Sequence, residues 1–443
     1  LRSFFGRLTY DYDNRYLVEA NIRRDGTSRI FKDSRWGVFP SFSGAWRIIN
    51  EPFMEETRNV LSDLKLRGGW GILGNQAISY YSYQSVLDQA NYSFGGTVVQ
   101  GVAPVDGANR NLVWETTETL NFGLDMGFLG NQYTLSIEGY RKLTYDILMK
   151  LPVSTLYGLN APYQNAGKVK NTGFEMTAGY KLNTHGWNFQ VSANAAYNKN
   201  EVLDLKNGGA RIWSGKYFNQ EGYAINSIGG YIAEGLFKTE EEVANSATIP
   251  GTETAPGDIK YRDINNDGKI DGEDRVYIGN TMPKWTFGLN LFAEWKGFDA
   301  TFLFQGAADV QGYLAGPGVV GEMIGAKGKP SYMYRDCWDA ETNPNGKFPR
   351  AFSSYRQNNS IYNPSSFWIV NSSYLRLKNF QLGYTLPKEW CNVMGISRIR
   401  VYYSGQNLLT FTKFDKGFDP ESPEGGSSYP QVKTNTFGLN ITF

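Results

Sequence analysis

The stretch from Asp263 to Asp274, "DINNDGKIDGED", carries the side chains of a calcium loop. An EF-hand loop binds calcium through oxygens at positions 1, 3, 5, 7, 9 and 12, with glycine at position 6. Gly268 occupies position 6 here, and Ile270 is the usual apolar residue at position 8. The expected ligands are Asp263, Asn265, Asp267, the Lys269 carbonyl, Asp271 and Asp274.

The last ligand departs from the EF-hand pattern, because Asp274 replaces a bidentate glutamate. A shorter carboxylate needs water to complete the calcium shell, so we expect low affinity. The alternative interpretation is an Asp/Asn-rich turn that binds no metal.

A second set of residues suited to binding is aromatic and falls in segments that we expect to be loops. Flat rings beside Asn and Gln side chains suit a sugar, and they suit a peptide as well. Packing within the loops and contact with a partner protein are the alternatives. The predicted substrate-binding residues are Tyr80, Tyr81, Tyr83, Tyr92, Trp213 and Tyr217.

The residue pattern does not indicate catalysis. The single histidine, His185, lies in a predicted short turn and cannot be the buried base of a triad. We find no nucleophile elbow, phosphate loop or zinc signature. Cys337 and Cys391 favour two unpaired thiols over a disulfide. The balance of 44 Lys+Arg against 43 Asp+Glu argues against a nucleic-acid partner.

Alternation of apolar and polar residues, the period of a β-strand, runs through the chain. Leu120, Phe122 and Leu124, for example, alternate with Asn121 and Gly123. The predicted strands are 4–12, 15–24, 37–49, 62–72, 116–128, 132–144, 173–182, 187–199, 284–295, 298–309, 373–386, 397–405 and 433–443, with a further strand-like stretch at 222–237 inside a loop. Strict alternation would place Leu377 and Phe380 on opposite faces of the strand, although both are apolar, which predicts a bulge between them.

The connections between these strands alternate between short and long. Short turns are expected at 13–15, 130–132, 183–186 and 296–297, and long loops at 24–36, 73–113, 145–171, 200–282, 312–368 and 406–432. No apolar run is long enough for a transmembrane helix, but a barrel strand needs only one apolar face over about 9–11 residues. Short turns on one side, long loops on the other and aromatic strand ends are typical of outer-membrane barrels.

The fold class we predict is therefore all-β, a transmembrane antiparallel β-barrel. Its polar faces would line a hydrated channel or contact a plug, although ordinary wetting of a barrel interior is the simpler interpretation. The residues expected on those faces are Asn121, Asp125, Glu175, Lys181, Asn188, Gln190 and Asn194. The final segment, "NTFGLNITF", ends on Phe443 as such barrels commonly do. Thirteen strands with two open edges would not close, so we expect further strands before Leu1.

Six segments in order resemble the SusC/RagA family of TonB-dependent outer-membrane transporters of Bacteroidetes. They are "RRDGTSR" (23–29), "RWGVFPSFSGAWRI" (35–48), "LKLRGGWGILGNQ" (64–76), "NAGKVKNTGFE" (165–175), "DINNDGKIDGEDRVYIGNTMPKWTFGLN" (263–290) and "SYLRLKNFQLGYTLP" (373–387). The resemblance implies a barrel of about 22 strands. Residues 1–443 would be its C-terminal part, with the plug, TonB box and early strands outside this chain.

The resemblance also implies a function and partners. A SusC-like barrel in the outer membrane imports oligosaccharides beneath a SusD-like lipoprotein lid, driven by the TonB–ExbB–ExbD complex; a RagA-like barrel imports oligopeptides. A homodimer of transporter–lipoprotein pairs is left open. No organic cofactor is implied, and calcium would brace the long loop 200–282. The alternative from a different class is a non-transporting, β-rich cell-surface glycan-binding protein.

Overall fold

The computed structural model describes residues 1–314, 335–351, 363–393, 395–414, 418–422 and 431–443. The parts of the predicted loops 312–368 and 406–432 that fall between these ranges lie outside the described residues. Across the described ranges, no helix has both the length and the apolar character needed to cross a membrane.

Strands dominate the described chain. In chain order they are β1 (Arg2–Tyr12), β2 (Tyr16–Gly26), β3 (Trp36–Arg47), β4 (Leu61–Asn75), β5 (Leu87–Phe94), β6 (Thr97–Pro104), β7 (Glu115–Phe128), β8 (Tyr133–Tyr145), β9 (Leu148–Lys150), β10 (Tyr163–Asn165), β11 (Lys168–Thr184), β12 (Trp187–Asp204), β13 (Ile212–Ser214), β14 (Tyr217–Asn219), β15 (Ser227–Gly230), β16 (Ala233–Leu236), β17 (Ile259–Tyr261), β18 (Val276–Gly279), β19 (Trp285–Trp295), β20 (Phe298–Ala308), β21 (Gln311–Tyr313), β22 (Ile369–Asn371), β23 (Tyr374–Thr385), β24 (Arg398–Thr412) and β25 (Thr434–Thr442). Short α-helices span α1 (Glu240–Ala244) and α2 (Lys388–Val393). The 3-10 turns are Ile48–Asn50, Pro52–Thr57, Thr155–Tyr157, Gly272–Asp274 and Ser366–Trp368.

The chain forms two compact units. The first comprises Leu1–Leu182, Gln190–Ile212 and Asn219–Ile225, and the second comprises Asn183–Phe189, Trp213–Phe218 and Asn226–Phe443. In the first unit the long strands follow the order β1, β2, β3, β4, β7, β8, β11 and β12; in the second the order is β19, β20, β23, β24 and β25. These are the thirteen strands that alternation predicts, and the all-β antiparallel fold is confirmed.

Two-residue turns join two pairs of these strands, within the short connections that the sequence predicts at 183–186 and 296–297. His185 and Gly186 have φ of 49° and 81°, and Lys296 and Gly297 have φ of 48° and 87°. Positive φ at both central residues matches the twist of a tight hairpin, and glycine adopts it without strain. His185 therefore lies in the short turn that the sequence predicts.

Strand ends are where the sequence prediction was wrong. The predicted strand 37–49 ends at Arg47, because Ile48–Asn50 and Pro52–Thr57 form 3-10 turns and Pro52 has no N–H for a ladder. Three strands reach five or more residues further into the predicted loops: β11 begins at Lys168, β12 continues to Asp204 and β24 continues to Thr412. Alternation breaks in two of these extensions because consecutive apolar residues lie on opposite faces: Val202 and Leu203 in β12, and Leu408 and Leu409 in β24. The bulge is confirmed, with a register shift between Leu377 and Asn379.

The long sheet strands have two different faces. On β7, Leu120, Phe122 and Leu124 share a face and Asn121 and Asp125 share the other, which follows from the two-residue period. The apolar face is open: Phe122 is 62% exposed. Apolar surface this extensive is covered by something apolar in a stable protein.

The loops have cores of their own. In the first unit, Ile78, Tyr83 and Leu112 pack together. In the second unit, a larger group that we call the loop core consists of Ile228, Tyr231, Ile259, Tyr261, Ile270, Ile278, Tyr313, Cys337 and Trp368. The strand-like stretch 222–237 is confirmed, since it contains β15 and β16.

Candidate functional site

Four charged side chains form a continuous network on the polar face of the first unit, which we call the charge ladder: Lys65, Arg67, Asp125 and Glu138. The Lys65 ammonium lies 2.8 Å from the Asp125 carboxylate, and the Arg67 Nε lies 3.3 Å from it. Arg67 also pairs with Glu138. The ladder thus crosses three neighbouring strands, β4, β7 and β8.

Neutral side chains complete the ladder. Ser136 donates to Asp125 over 2.7 Å, and the Asn121 amide donates to Glu138 over 2.9 Å. The charged side chains keep roughly a quarter of their surface exposed, with 30% for Arg67, 22% for Asp125 and 24% for Glu138. Such partly hydrated pairs orient one another while remaining available to water.

A concavity of about 580 Å³ lies beside the ladder, bounded by residues of β1 to β4 and β7. Its floor is made of small residues such as Ser43, Gly44 and Gly69. At Gly69 an added Cβ would lie 2.7 Å from the Asn121 side-chain oxygen, so glycine at this position leaves room for the Asn121 side chain and keeps the concavity open. The concavity is a polar recess in a sheet face.

Sequence reasoning placed Asn121 and Asp125 on this face, and the structure confirms both. It missed Lys65, Arg67 and Glu138, which are equally central. The alternation pattern could have placed these three residues on the polar face, because each is separated by two positions from another polar residue of its own strand. Their pairing with residues of neighbouring strands could not be predicted, because it depends on register.

Within the first unit, other predicted polar positions share the face of the ladder. Glu175 lies directly opposite Glu138 in the register of β11 with β8. Further along, Tyr140 donates to Asn198 over 3.2 Å, and Asn198 and Asn200 donate to Asn171. In the second unit, Asn188 donates to Glu294 over 3.5 Å. Lys181, Gln190 and Asn194 follow by alternation along β11 and β12.

The predicted aromatic residues of the first unit divide into exposed and buried. Tyr80 and Tyr81 are exposed at 67% and 59%, and the Arg29 guanidinium lies 4.4 Å from the Tyr80 ring centre. Tyr92 is exposed on the β5–β6 hairpin, 5.0 Å from the Phe94 ring. Tyr83 is buried against Ile78 and Leu112. Three of the four are thus open to a ligand, and Tyr83 supports the loop beneath them.

The two predicted aromatics of the second unit are packed. The Arg275 guanidinium lies 3.9 Å from the Trp213 ring centre, and the Phe218 ring lies 5.3 Å from it. Tyr217 is half-buried, with the Lys216 ammonium 4.9 Å from its ring. Here packing within the loop accounts for the positions of both rings.

The Asp263–Asp274 loop is wound by its own carboxylates. Asp263 accepts backbone N–H groups from Asn266, Asp267 and Gly268 at 2.7, 3.3 and 2.8 Å. Gly268 has φ of 83°, which is why glycine stands at the sixth position. Fully buried Asp274 accepts from the backbone of Ile264 and Asp271, each over 2.8 Å.

A cation of the chain itself lies between two of the predicted calcium ligands. The Lys269 ammonium is 3.4 Å from Asp267 and 3.3 Å from Asp271. The pKa of Asp271 is held below its usual value, mainly by a hydrogen bond from the Glu273 amide and secondly by a hydrogen bond from the Lys269 ammonium. Among the described residues, no three His, Cys, Asp or Glu side chains converge as a formed metal site. Calcium binding therefore stays a prediction.

The same loop is anchored to the loop core. Ile270 is 1% exposed within it, and its amide donates to the Thr248 carbonyl over 3.0 Å. The core also buries ionisable groups: burial raises the pKa of Tyr261 and Tyr313, and raises that of the Cys337 thiol to about 11. These groups stay neutral at physiological pH and serve packing.

Comparison with known proteins gives one consistent result. The model of the family "TonB dependent receptor-like, beta-barrel" matches residues 1–408. TonB-dependent receptor P3 of Formosa agariphila is 32% identical over 467 residues, covering 100% of this chain and 45% of that protein. TonB-dependent receptor SusC of Bacteroides thetaiotaomicron is 32% identical over 480 residues, covering 100% of this chain and 44% of that protein.

Among solved structures, the RagAB peptide transporter superposes with a TM-score of 0.80 at 28% identity, covering 100% of this chain and 47% of that one. The chain spans about half the length of the curated relatives it matches. The resemblance to the SusC/RagA family seen in the sequence is thereby confirmed. This chain belongs to the TonB-dependent receptor-like β-barrel family.

Proposed function

We propose that the chain is the C-terminal barrel section of a TonB-dependent importer in the outer membrane of a Gram-negative bacterium. The observation that carries this proposal is the two-faced sheet in a chain of this family. One face is apolar and open, as at Phe122, and the other holds the charge ladder. A lipid-facing outer surface and a hydrated lumen require this arrangement.

Within this proposal, the polar face guides a hydrophilic solute or seats a plug. Charged side chains on a lumen wall are tolerated because water or a polar domain solvates them. The small-residue floor beside the ladder leaves space for either. The energy for import comes from TonB acting through parts of the protein outside this chain.

The substrate we propose is an oligosaccharide, as in SusC-type import, with the exposed rings of Tyr80, Tyr81 and Tyr92 as first contacts. Oligopeptide import is the second candidate, favoured by the similarity to the RagAB peptide transporter. Both candidates share a surface lipoprotein as lid over the loops, and a homodimer of such pairs is compatible with either. A non-transporting glycan-binding protein would not need a charged inner wall.

Calcium is part of the proposal as a brace for the loop. The Asp267 and Asp271 carboxylates flank the half-exposed Lys269 ammonium at 3.4 and 3.3 Å, and calcium would take the place of that ammonium between them. The ligands would be the side-chain oxygens of Asp263, Asn265, Asp267, Asp271 and Asp274 with the Lys269 carbonyl. The ion would fix the loop against its core and take part in no reaction.

The test is uptake by cells that express the full-length protein with its neighbouring lipoprotein. Fluorescent oligosaccharides and oligopeptides are offered as separate panels, to cells with intact TonB and to cells lacking TonB. We expect TonB-dependent accumulation of one panel. Binding without accumulation in either strain would contradict import and favour a glycan-binding protein.

A further inference from the structure

Two arginines on the apolar face of the first unit are held by aromatic rings. The Arg24 guanidinium lies 4.9 Å from the Trp36 ring centre, and the Arg2 guanidinium lies 5.2 Å from that of Phe4. The two rings stack at 6.1 Å with 27° between their planes. We call these four residues the cationic stack.

The strands are shaped to hold this stack. Arg24 lies opposite Phe4 on β1 and opposite Val38 on β3, so both of its neighbouring strands are described. Gly26 lies beneath Trp36: an added Cβ would lie 2.8 Å from the indole ring. Only glycine lets the indole lie across β2 and present its outer surface to the guanidinium.

The charges of the stack are unbalanced on their own face. In the described part of the chain, no carboxylate lies within ion-pair distance of Arg2 or Arg24. The opposite face of the same strands is neutralised: Arg23 pairs with Asp25 at 2.7 Å and Arg7 with Glu19 at 2.7 Å. Two positive charges on an otherwise apolar surface beside lipid would be stabilised by a bound anion.

The position of the stack along the strands fits a membrane boundary. Tyr16, at the turn end of β2, stacks on Trp46 at 6.4 Å and donates to Glu51 over 2.6 Å. From Tyr16 to Arg24 the strand rises about 26 Å, or about 20 Å vertically in a tilted barrel strand. That height covers most of an apolar band of about 25 Å. The residues between them on this face are apolar: Val18, Ala20 and Ile22.

A third arginine, on another strand, lies at the same height as Arg24. Arg141 follows Tyr133 on β8 by the same interval that separates Arg24 from Tyr16, and it is exposed on the apolar face. Tyr133, like Tyr16, stacks on a neighbouring aromatic ring, Tyr180, at 4.7 Å. Arginine thus recurs at the loop end of the apolar band, although at Arg141 the carboxylate of Glu118 lies diagonally opposite on the same face and accepts from the Trp70 indole.

We propose that the cationic stack binds the phosphate of a phosphorylated lipid headgroup in the outer leaflet, with its acyl chains along the apolar face below. The guanidinium groups donate hydrogen bonds to the phosphate oxygens, and the rings hold them in place. This rests on the proposed location in the outer membrane. Recovery of the full-length protein in the outer-membrane fraction checks that location separately.

The test measures lipid binding by full-length protein, using native mass spectrometry in detergent. The probes are monophosphoryl lipid A and an analogue that lacks the phosphate. Each arginine near an anionic headgroup contributes about fivefold in affinity. The Arg2→Gln/Arg24→Gln protein should therefore bind the phosphorylated probe about thirtyfold more weakly and the phosphate-free probe unchanged. Arg24→Lys keeps the charge but loses the planar guanidinium that stacks on Trp36, so it should bind the phosphorylated probe more tightly than Arg24→Gln and more weakly than the wild type.

Arg7→Gln is the matched control, because it removes the same charge from the other face of β1. It should leave binding of both probes unchanged. Equal weakening by Arg7→Gln, equal weakening for the phosphate-free probe, or undiminished binding by the double variant would each overturn the proposal. A protein absent from the outer membrane would instead overturn the proposed function.

Discussion

Ile270→Ala tests how the Asp263–Asp274 loop is held. Ile270 is 1% exposed in the loop core, and truncating a buried isoleucine to alanine destabilises by about 2–5 kcal/mol. Taking about 3 kcal/mol, the population of the locally opened loop should rise by about 150-fold. The rest of the barrel should be unaffected, since the long strands do not depend on this core.

Hydrogen exchange of the peptide covering 259–280 in the full-length protein measures this opening. The amide of residue 270, bonded to Thr248, should exchange about 150-fold faster in the variant. The control is Ile264→Ala, the same substitution in the same loop, at a side chain that is 39% exposed. It should change exchange by no more than about twofold, in line with surface substitutions of at most about 0.5 kcal/mol.

Adding calcium to the same hydrogen-exchange experiment tests the predicted metal site. A ligand at 100 times its dissociation constant stabilises the state that binds it by about 2.7 kcal/mol. Saturating calcium should therefore restore most of the lost protection in Ile270→Ala. Equal effects of the two isoleucine substitutions would refute the anchoring role of Ile270, whereas fast exchange that calcium does not slow would refute only the metal site.

Three further outcomes are expected. Asp267→Ala should abolish the heat of calcium binding seen by calorimetry on full-length protein, and no heat from the wild type at millimolar calcium would leave the loop a plain turn. Arg67→Met should lower barrel stability in urea by about 1–2 kcal/mol, because its two ion pairs are partly solvated; in a double-mutant cycle with Glu138→Gln a coupling near zero would contradict the ladder. At pH 8 the Cys337 thiol should react with iodoacetamide over 100-fold more slowly than the thiol of free glutathione does, since a pKa of about 11 leaves about one thiolate per thousand thiols. The rate of Cys337 labelling should rise about tenfold per pH unit up to pH 11. A labelling rate independent of pH would contradict the raised pKa.

Alternation was sufficient to find all thirteen sheet strands, and the physical reason is their two-faced environment. One face is apolar and the other hydrated, so the period of two is visible without any knowledge of pairing. In the extensions of β12 to Asp204 and β24 to Thr412, that pattern is interrupted by consecutive apolar residues, Val202–Leu203 and Leu408–Leu409. The prediction was therefore wrong at the strand ends.

The site residues were less predictable, because they depend on register and on loop packing. Asp125 could be assigned to the polar face, but its partners Lys65 and Arg67 come from a strand about sixty positions away. In the loops no period separates a core residue from a surface one. Tyr80 and Tyr83 look alike in sequence, yet one is 67% exposed and the other 8%.

The measurement closest to the central claim compares the two faces of β7 in native outer-membrane vesicles. Asn121→Cys and Phe122→Cys are introduced one at a time into the full-length protein, in a background without other reactive thiols. We predict that a membrane-impermeant, water-soluble maleimide labels position 121 through the lumen once the vesicles are made permeable. A maleimide confined to the lipid phase should label position 122. Labelling of both positions by the water-soluble reagent, or of position 121 by the lipid-phase one, would contradict a lipid-facing barrel wall.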